Sequence, residues 1–487
     1  MTHLTKSLTH AALTEGLYPP PPVLSLAILS DLVKIGDLVG LAIATSTAYL
    51  IAGPTAWPPL AIFGALVCLL GLYHLAATVI AGYGPDALRA PLLKFHSALI
   101  ALATAFLALG LLVLAAGLEP QYSEDLIATW LAASGASLLA VRTILWVVID
   151  RLRARGRLAL RTVIIGASET GARLAHRIRG EHANEIALLG FIDDRTTRLP
   201  PSDELGRRLG GLEHLRALVQ DRAIDQALIA LPWNATARLR DVIQELAFWP
   251  GRICLVPDLA GIDFSRSSST RIAGMPMMLL FDRPISEWGS VLKRAEDLIV
   301  AIMALVFLAP VMALVAILIK LDSPGPVFFR QRRYGFNNDL IAIWKFRTMY
   351  QDLTDKDAKV LTTRNDPRVT RVGRLIRKFS LDELPQLFNV LSGEMSIVGP
   401  RPHALQAKAD GRLYAEVVPR YASRHRVKPG ITGWAQVNGW RGVTDTVEKI
   451  EKRVEYDLYY IENWSLWFDL SIIVRTALGL FKDPDAY

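Results

Sequence analysis

The chain has 487 residues, 52% of them hydrophobic, with a mean hydropathy of +0.30 and a formal net charge of +8. That is long enough for two or three domains, too apolar for an ordinary soluble protein, and basic enough to favour lipid surfaces or phosphates as partners. Nucleic acid is disfavoured because the cations flank apolar segments, and the two cysteines, Cys68 and Cys254, offer neither a disulfide framework nor a zinc site.

Residues 1–31, with Pro19 to Pro22 in a row, do not read as a cleavable signal peptide and are expected to form a cytoplasmic tail. Over 32–150 the pattern predicts a membrane bundle of four spans: Leu32–Ala52, Pro58–Ile80, Leu92–Leu118 and Leu126–Ile149. Each approaches or exceeds the roughly 20 helical residues that a bilayer core requires. The link from Gly53 to Trp57 is uncharged, and Glu119, Glu124 and Asp125 make another loop acidic. Arg89 and Lys94 flank the loop between spans two and three, and Arg151, Arg153, Arg155 and Arg157 follow span four. Positive-inside logic puts both ends of the bundle in the cytoplasm. Arg142, within two turns of that end of span four, is expected to snorkel.

From 151 to 270 short apolar runs alternate with helical stretches. Thr162–Gly166, Leu188–Asp193, Gln226–Ala230 and Ile253–Val256 read as strands, which predicts a parallel, doubly wound, Rossmann-like α/β domain. Gly166-Ala-Ser-Glu-Thr-Gly171 keeps the outer glycines of a dinucleotide fingerprint but has Ser168 where a glycine lets the backbone approach a pyrophosphate. Asp193 and Asp194 stand where a ribose-binding acid belongs. The domain reads as a regulatory or dimerising remnant of a nucleotide fold, with a homodimer as the matching assembly, or else as a nucleotide site. Residues 271–290 are read as a linker.

The last domain, 291–487, opens with a fifth apolar stretch within about 297–320. Lys293 and Arg294 precede it, while Lys320, Arg330, Arg332 and Arg333 follow, so both flanks are cationic. Pro310 near its midpoint removes a helical hydrogen bond. The expectation is a re-entrant helix–break–helix, with the catalytic domain on the cytoplasmic face. Lys345 and Arg347 then alternate at the end of a strand-like run, where both would meet one diphosphate. A basic run through Arg364, Arg368, Arg371, Arg374 and Arg377 suits an interfacial helix. Adjacent carboxylates, Asp382 and Glu383, follow at a helix start, and Ser380-x-x-Glu383 has the form of a capping box. Cations beside paired carboxylates suit metal-assisted phosphoryl chemistry. The aromatic-rich tail from Tyr456 to Phe468 fits either a membrane-interface belt or core packing. His403 and His425 lack metal-ligand spacing and are read as structural.

Four motifs in order carry a resemblance: Lys345-Phe-Arg-Thr-Met349, Ser380-Leu-Asp-Glu-Leu-Pro-Gln386, Val398-Gly-Pro-Arg-Pro402 and Lys428-Pro-Gly-Ile-Thr-Gly-Trp-Ala-Gln-Val437. They make the C-terminal part similar to the monotopic phosphoglycosyl transferases, and the full chain resembles their large members. The resemblance implies transfer of a sugar-1-phosphate from a UDP-sugar to undecaprenyl phosphate, with UMP released, beginning assembly of a lipid-linked polysaccharide at a bacterial inner membrane. It implies UDP-glucose as donor, with UDP-galactose second. Asp382 would be the nucleophile and Glu383 would help to hold Mg²⁺, with Asp469 near the metal. Arg401, between Gly399-Pro400 and Pro402, would bind the nucleotide diphosphate, and Arg377 the lipid phosphate. Smaller members often carry Ser-Pro at the re-entrant break, where this chain has Ala309-Pro310. A membrane-anchored nucleotide-sugar dehydratase would need Tyr-x-x-x-Lys, and no tyrosine here has lysine four residues on. A non-enzymatic scaffold or sensor of polysaccharide export is the other rival, and the intact dyad speaks against it.

Overall fold

The computed structural model describes residues 25–52, 59–80, 83, 94–117, 124–183, 185–195, 205–221, 223–232, 234–257, 270–273, 275–351, 366–403, 408–409, 412–418, 420–440, 442 and 446–479. Two compact units divide between Leu160 and Arg161.

Among the described residues the first unit holds four helices: α1 (Leu26–Ala52), α2 (Pro59–Val79), α3 (Phe95–Ala115) and α4 (Glu124–Ala154). Stretches of α2, α3 and α4 are long and apolar enough to cross a membrane. α1 carries Asp31, Lys34 and Asp37 along its first half. Asp37 is fully buried, and Arg142 on α4, 1% exposed, donates to it from Nη2 at 2.6 Å. Tyr73 and Tyr83 donate to the same carboxylate at 2.9 and 3.1 Å. Arg142 therefore does not snorkel; its charge is neutralised inside the bundle. Small residues permit this approach, since a Cβ on Gly40 would lie 2.7 Å from Ser137 Oγ.

The second unit begins with a seven-stranded sheet in the order β3-β2-β1-β4-β5-β7-β6. Its strands are β1 (Leu160–Ile165), β2 (Ile186–Ile192), β3 (Arg208–Gly210), β4 (Gln226–Ile229), β5 (Arg252–Leu255), β6 (Thr270–Ile272) and β7 (Met275–Phe281). The pairings β2–β3, β1–β4 and β4–β5 are parallel. Side chains alternate across the strands: Val163 and Ile165 join one core with α6 (Leu212–Gln220) and α7 (Thr236–Leu246). Ile164 faces the other core with α5 (Glu169–Glu181). The stretch 271–290 is not a linker. β6 and β7 add an antiparallel edge to this sheet, and the next helix already starts at Glu287.

That helix, α8 (Glu287–Asp322), is helical throughout its 36 residues, Pro310 included. The expected interruption at Pro310 is therefore absent as a break in secondary structure. One face of α8 packs on the rest of the domain, through Ala301 and Leu305 and again through Met312, Val315 and Ile319. Its other face exposes Ile299, Met303, Val306, Phe307, Leu314 and Leu321. The antiparallel hairpin β8 (Phe328–Tyr334) and β9 (Leu340–Phe346) follows. Then come α9 (Arg371–Lys378), a 3₁₀ turn (Leu381–Glu383), α10 (Gln386–Ser392) and β10 (Ser396–Val398). The rest comprises β11 (Lys408–Ala409), β12 (Arg412–Leu413), α11 (Tyr414–Val417), β13 (Gly430–Thr432), α12 (Trp434–Val437), α13 (Val447–Glu462) and α14 (Leu466–Gly479). In the aromatic tail, Tyr460 is buried, whereas Tyr459 and Trp467 are exposed.

Candidate active site

Three elements bring charge to one place. β9 places Lys345 next to its last residue, with Nζ 3.0 Å from Glu383 Oε1. The 3₁₀ turn supplies Asp382 and Glu383. The corner after β10 supplies Arg401, whose Nη1 donates to Glu383 Oε2 at 3.0 Å while Nη2 donates to Oε1.

The turn does not use the expected capping box. Ser380 takes a left-handed conformation (φ 56°) without a side-chain cap, and the Glu383 carboxylate goes to the two cations instead of back to the Ser380 amide. α9 is capped by Thr370, whose hydroxyl accepts from Gly373 N at 2.9 Å. Left-handed backbone at a serine is sparsely populated, and it turns the dyad toward β9 and β10.

The two carboxylates are treated differently. Burial works against the Glu383 charge, but Arg401 and Lys345 outweigh it and hold this carboxyl well below the usual range. Asp382 lies beside it, and among the described residues no group hydrogen-bonds its carboxylate. Burial pushes Asp382 up to about 6; Lys345, Arg377 and Arg401 oppose the shift and Glu383 adds to it. The result is a permanently ionised, clamped glutamate next to an unclamped aspartate. An unclamped carboxylate is what a nucleophile needs.

Arg377 joins this group from α9. Its Nη1 is buried without a hydrogen-bond partner, and its charge acts on Asp382. Gly399 and Pro400 are occupied by backbone pairing: Gly399 N donates to Thr432 O at 2.9 Å and Gly430 N to Pro400 O at 3.0 Å. A Cβ on Gly399 would lie 2.5 Å from Lys428 O, so only glycine allows the two strands this close. Pro402 accepts from Arg333 through its carbonyl. These three residues carry Arg401 to the site.

Two expected members lie elsewhere. Arg347 falls beyond the end of β9 and is 5% exposed. Its guanidinium donates to Ser323 O at 2.7 Å and to the carbonyls of Ile319 and Pro324, so it caps the C-terminus of α8 and cannot share a diphosphate with Lys345. Asp469 is fully buried, with Tyr460 Oη donating to Oδ1 at 2.8 Å, Trp464 Nε1 to Oδ2 at 2.9 Å, and Lys293 Nζ 2.8 Å from Oδ2. Both its oxygens are used in fixing α14 against α8 and α13. Among the described residues no group of three His, Cys, Asp or Glu side chains is arranged to hold a metal.

Behind Arg401 lie further cations, Arg333, Arg424 and Arg453, that no sequence motif marks. Arg424 donates to Arg401 O at 2.7 Å and pairs with Asp457 at 2.6 Å. Arg453 donates to the carbonyls of Trp440 and Gly442 and leaves Nε buried without a partner. Burial, then the like charge of Arg401, lowers Arg333 and Arg453 to about 10 each. His403 lies between Tyr421, Arg424 and Arg453, and burial followed by the Arg424 charge holds it neutral. The one available signal was the density of arginines from Arg420 to Arg426. The arrangement favours an anionic ligand beside a free carboxylate.

A family model described as bacterial sugar transferase matches residues 288–483, and one described as CoA-binding domain matches 79–257. The chain is 40% identical over 361 residues to a UDP-glucose:undecaprenyl-phosphate glucose-1-phosphate transferase of Escherichia coli (strain K12), covering 74% of this chain and 75% of that one. It is 42% identical over 348 residues to an undecaprenyl-phosphate glucose phosphotransferase of Komagataeibacter xylinus, covering 71% and 64%. A UDP-N-acetylgalactosamine-undecaprenyl-phosphate N-acetylgalactosaminephosphotransferase of Aeromonas hydrophila is 44% identical over 185 residues, 38% of this chain and 42% of that one.

Proposed function

We propose, for a chain that belongs to the bacterial sugar transferase family, that it moves glucose-1-phosphate from UDP-glucose to undecaprenyl phosphate and releases UMP. The free Asp382 carboxylate beside the clamped Glu383 carries this reading. An Asp382 oxygen attacks the β-phosphorus of the UDP-sugar. The bond from that phosphorus to the bridging oxygen breaks, and UMP leaves with the electron pair. A phosphosugar–aspartyl ester remains. An oxygen of undecaprenyl phosphate then attacks the same phosphorus, the Asp382–phosphorus bond breaks, and the carboxylate is restored. Two displacements at one phosphorus replace a single direct transfer between two anions.

Lys345 and Arg401 hold Glu383 until a diphosphate competes for them. Arg377, with a buried guanidinium nitrogen unpartnered, takes the lipid phosphate. Mg²⁺ would neutralise diphosphate charge. With no cage of three ligands among the described residues, it would be held by the dyad carboxylates and phosphate oxygens.

Both ends of α8 are fixed to one domain. Arg294 donates to Val390 O and Leu391 O at 2.7 and 2.8 Å, and Asp322 accepts from Val372 N at 3.1 Å. A helix crossing the bilayer would separate these anchors by the membrane. The contacts therefore support α8 entering and leaving the cytoplasmic leaflet, as a re-entrant element bent about Pro310. Exposed Leu375 on the basic α9 and Phe379 at its C-cap would rest on the same leaflet. Glucose is preferred because relatives matching over 348 to 370 residues carry it in their names, whereas the N-acetylgalactosamine relative aligns over 185 residues. The product would begin an exopolysaccharide.

The test is UMP release from a panel of UDP-sugars by the full chain with undecaprenyl phosphate and Mg²⁺. Release with UDP-glucose that Asp382→Asn abolishes is expected; equal release by the variant rejects the nucleophile, and no release from any donor rejects the enzyme.

A further inference from the structure

The middle domain matches a CoA-binding family model, and its strand order reverses between β1 and β4, where parallel sheets of this kind take nucleotides at the carboxyl ends of their strands. That crevice is stapled by its own side chains. Ser168, in place of the middle glycine, donates from Oγ to Ala230 O at 2.7 Å, bridging the ends of β1 and β4. The Leu231 side chain lies against Gly166, 2.7 Å from where a Cβ would stand. Asp193, 9% exposed, accepts from Ala167 N at 2.8 Å, the loop amide on which a phosphate would sit. Arg195 closes over it, donating to Asp193 at 2.7 Å and to Ala167 O at 2.9 Å. Asp194 accepts from Leu212 N at 2.8 Å and forms an ion pair with Arg238 of α7. A phosphate entering here would meet an ionised carboxylate already using the amide, so the residues present do not fit a nucleotide or CoA.

The opposite edge of the same sheet is engaged. Asn337, at the tip of the β8–β9 hairpin, is 2% exposed and donates from Nδ2 to Val219 O at the end of α6, 2.9 Å away. It holds a left-handed turn (φ 57°). Arg426 donates to Asp282 O and lies 5.1 Å over the Phe281 ring. Ala422 packs on the core formed by β4, α6 and α7. The elements gripped are those that deliver Lys345 on β9 and Arg424 in the 421–426 turn.

We propose that the middle domain is a docking platform for the catalytic domain, positioning the cations around the dyad through its amino-terminal edge, and that its nucleotide-type crevice is permanently closed. This goes beyond the proposed reaction and rests on it only for the activity readout. The full chain in detergent would be titrated with CoA and with NAD by calorimetry, and Asn337→Gly/Arg426→Gln would be compared with wild type by hydrogen exchange. Glycine keeps the left-handed turn and removes the amide. No saturable binding is expected at roughly millimolar ligand, with exchange across 328–346 and 421–426 at least about fivefold faster in the variant. Saturable binding by wild type whose affinity changes in Asp193→Ala overturns the closure. Unchanged exchange in the variant overturns the docking. Both readouts hold whether or not UMP is released. Where it is, kcat/KM falls about fivefold in the variant, and a wild-type value rejects the positioning role.

Discussion

Two buried charge clusters can be set side by side. In the bundle, Asp37 meets Arg142, Tyr73 and Tyr83, and the aspartate and arginine are essentially without solvent contact. In the catalytic domain, Glu383 meets Lys345 and Arg401, but among the described residues nothing hydrogen-bonds the Asp382 carboxylate beside it, and Arg377 leaves a buried nitrogen unpartnered. The first cluster is balanced, one negative charge against one positive. The second gathers cations beyond its acids, with Arg333, Arg424 and Arg453 behind. A satisfied buried network specifies packing, whereas an unsatisfied one is costly unless something else completes it. The comparison assigns structure to the first and ligand chemistry to the second.

The largest effects should separate the two. Asp382→Asn removes the unclamped carboxylate and should lower UMP release by at least about 10³-fold. It should not lower the unfolding temperature at pH 7.5. Because folding raises the Asp382 pKa to about 6, the native state loses stability as pH rises from the unfolded value toward 6, and the asparagine avoids that loss. A large fall in melting temperature would put Asp382 with the structural charges. Asp37→Ala is the mirror experiment. Stranding Arg142 in the bundle should destabilise the first unit by about 3–5 kcal/mol, read as thermal unfolding in detergent. Exchanging the two charges, Asp37→Arg with Arg142→Asp, should recover part of that loss. Unchanged unfolding on Asp37→Ala would mean that the pair contributes little to packing.

Sequence reading reached the second cluster far better than the first. Lys345, Asp382, Glu383 and Arg401 lie in short motifs whose order and composition carry their chemistry, and the structure brings these four together. The burial of Arg142 is not legible in the sequence because its partner lies 105 residues away on another helix, beyond any local pattern. Arg347 looked equivalent to Lys345 by strand alternation, but β9 ends between them and the chain turns toward the carbonyls at the end of α8. Asp469 near aromatic residues looked available, yet those aromatics consume it: Trp464 and Tyr460 are its donors. β6 and β7 are hard to read because Met275–Phe281 lacks the β-branched residues that mark a strand, and β7, with β6 paired to it, joins the sheet only through the β5 edge. What stayed hidden was decided by tertiary contacts that local pattern does not encode: across the bundle for Arg142, at the end of α8 for Arg347, and in the turn before α14 for Asp469.

Smaller effects should sharpen the reading of the open cluster. Arg401→Ala leaves Glu383 to Lys345 alone and removes a diphosphate donor, so kcat/KM should fall about 10²-fold. Arg401→Lys should recover little of it, because the bidentate grip on Glu383 uses both terminal nitrogens of the guanidinium. The pH profile is the finest test. A nucleophilic carboxylate works only when ionised, and burial raises Asp382 to about 6. The value of kcat/KM should therefore fall as pH drops through the Asp382 titration, and Mg²⁺ held at the dyad should move that limb to lower pH. Glu383, held well below the ordinary range by Arg401 and Lys345, contributes no limb in that window. Arg401→Ala removes a cation that favours the ionised Asp382, so the limb should move to higher pH in that variant. A limb that stays in place would show that Arg401 acts on the substrate alone and not on the nucleophile.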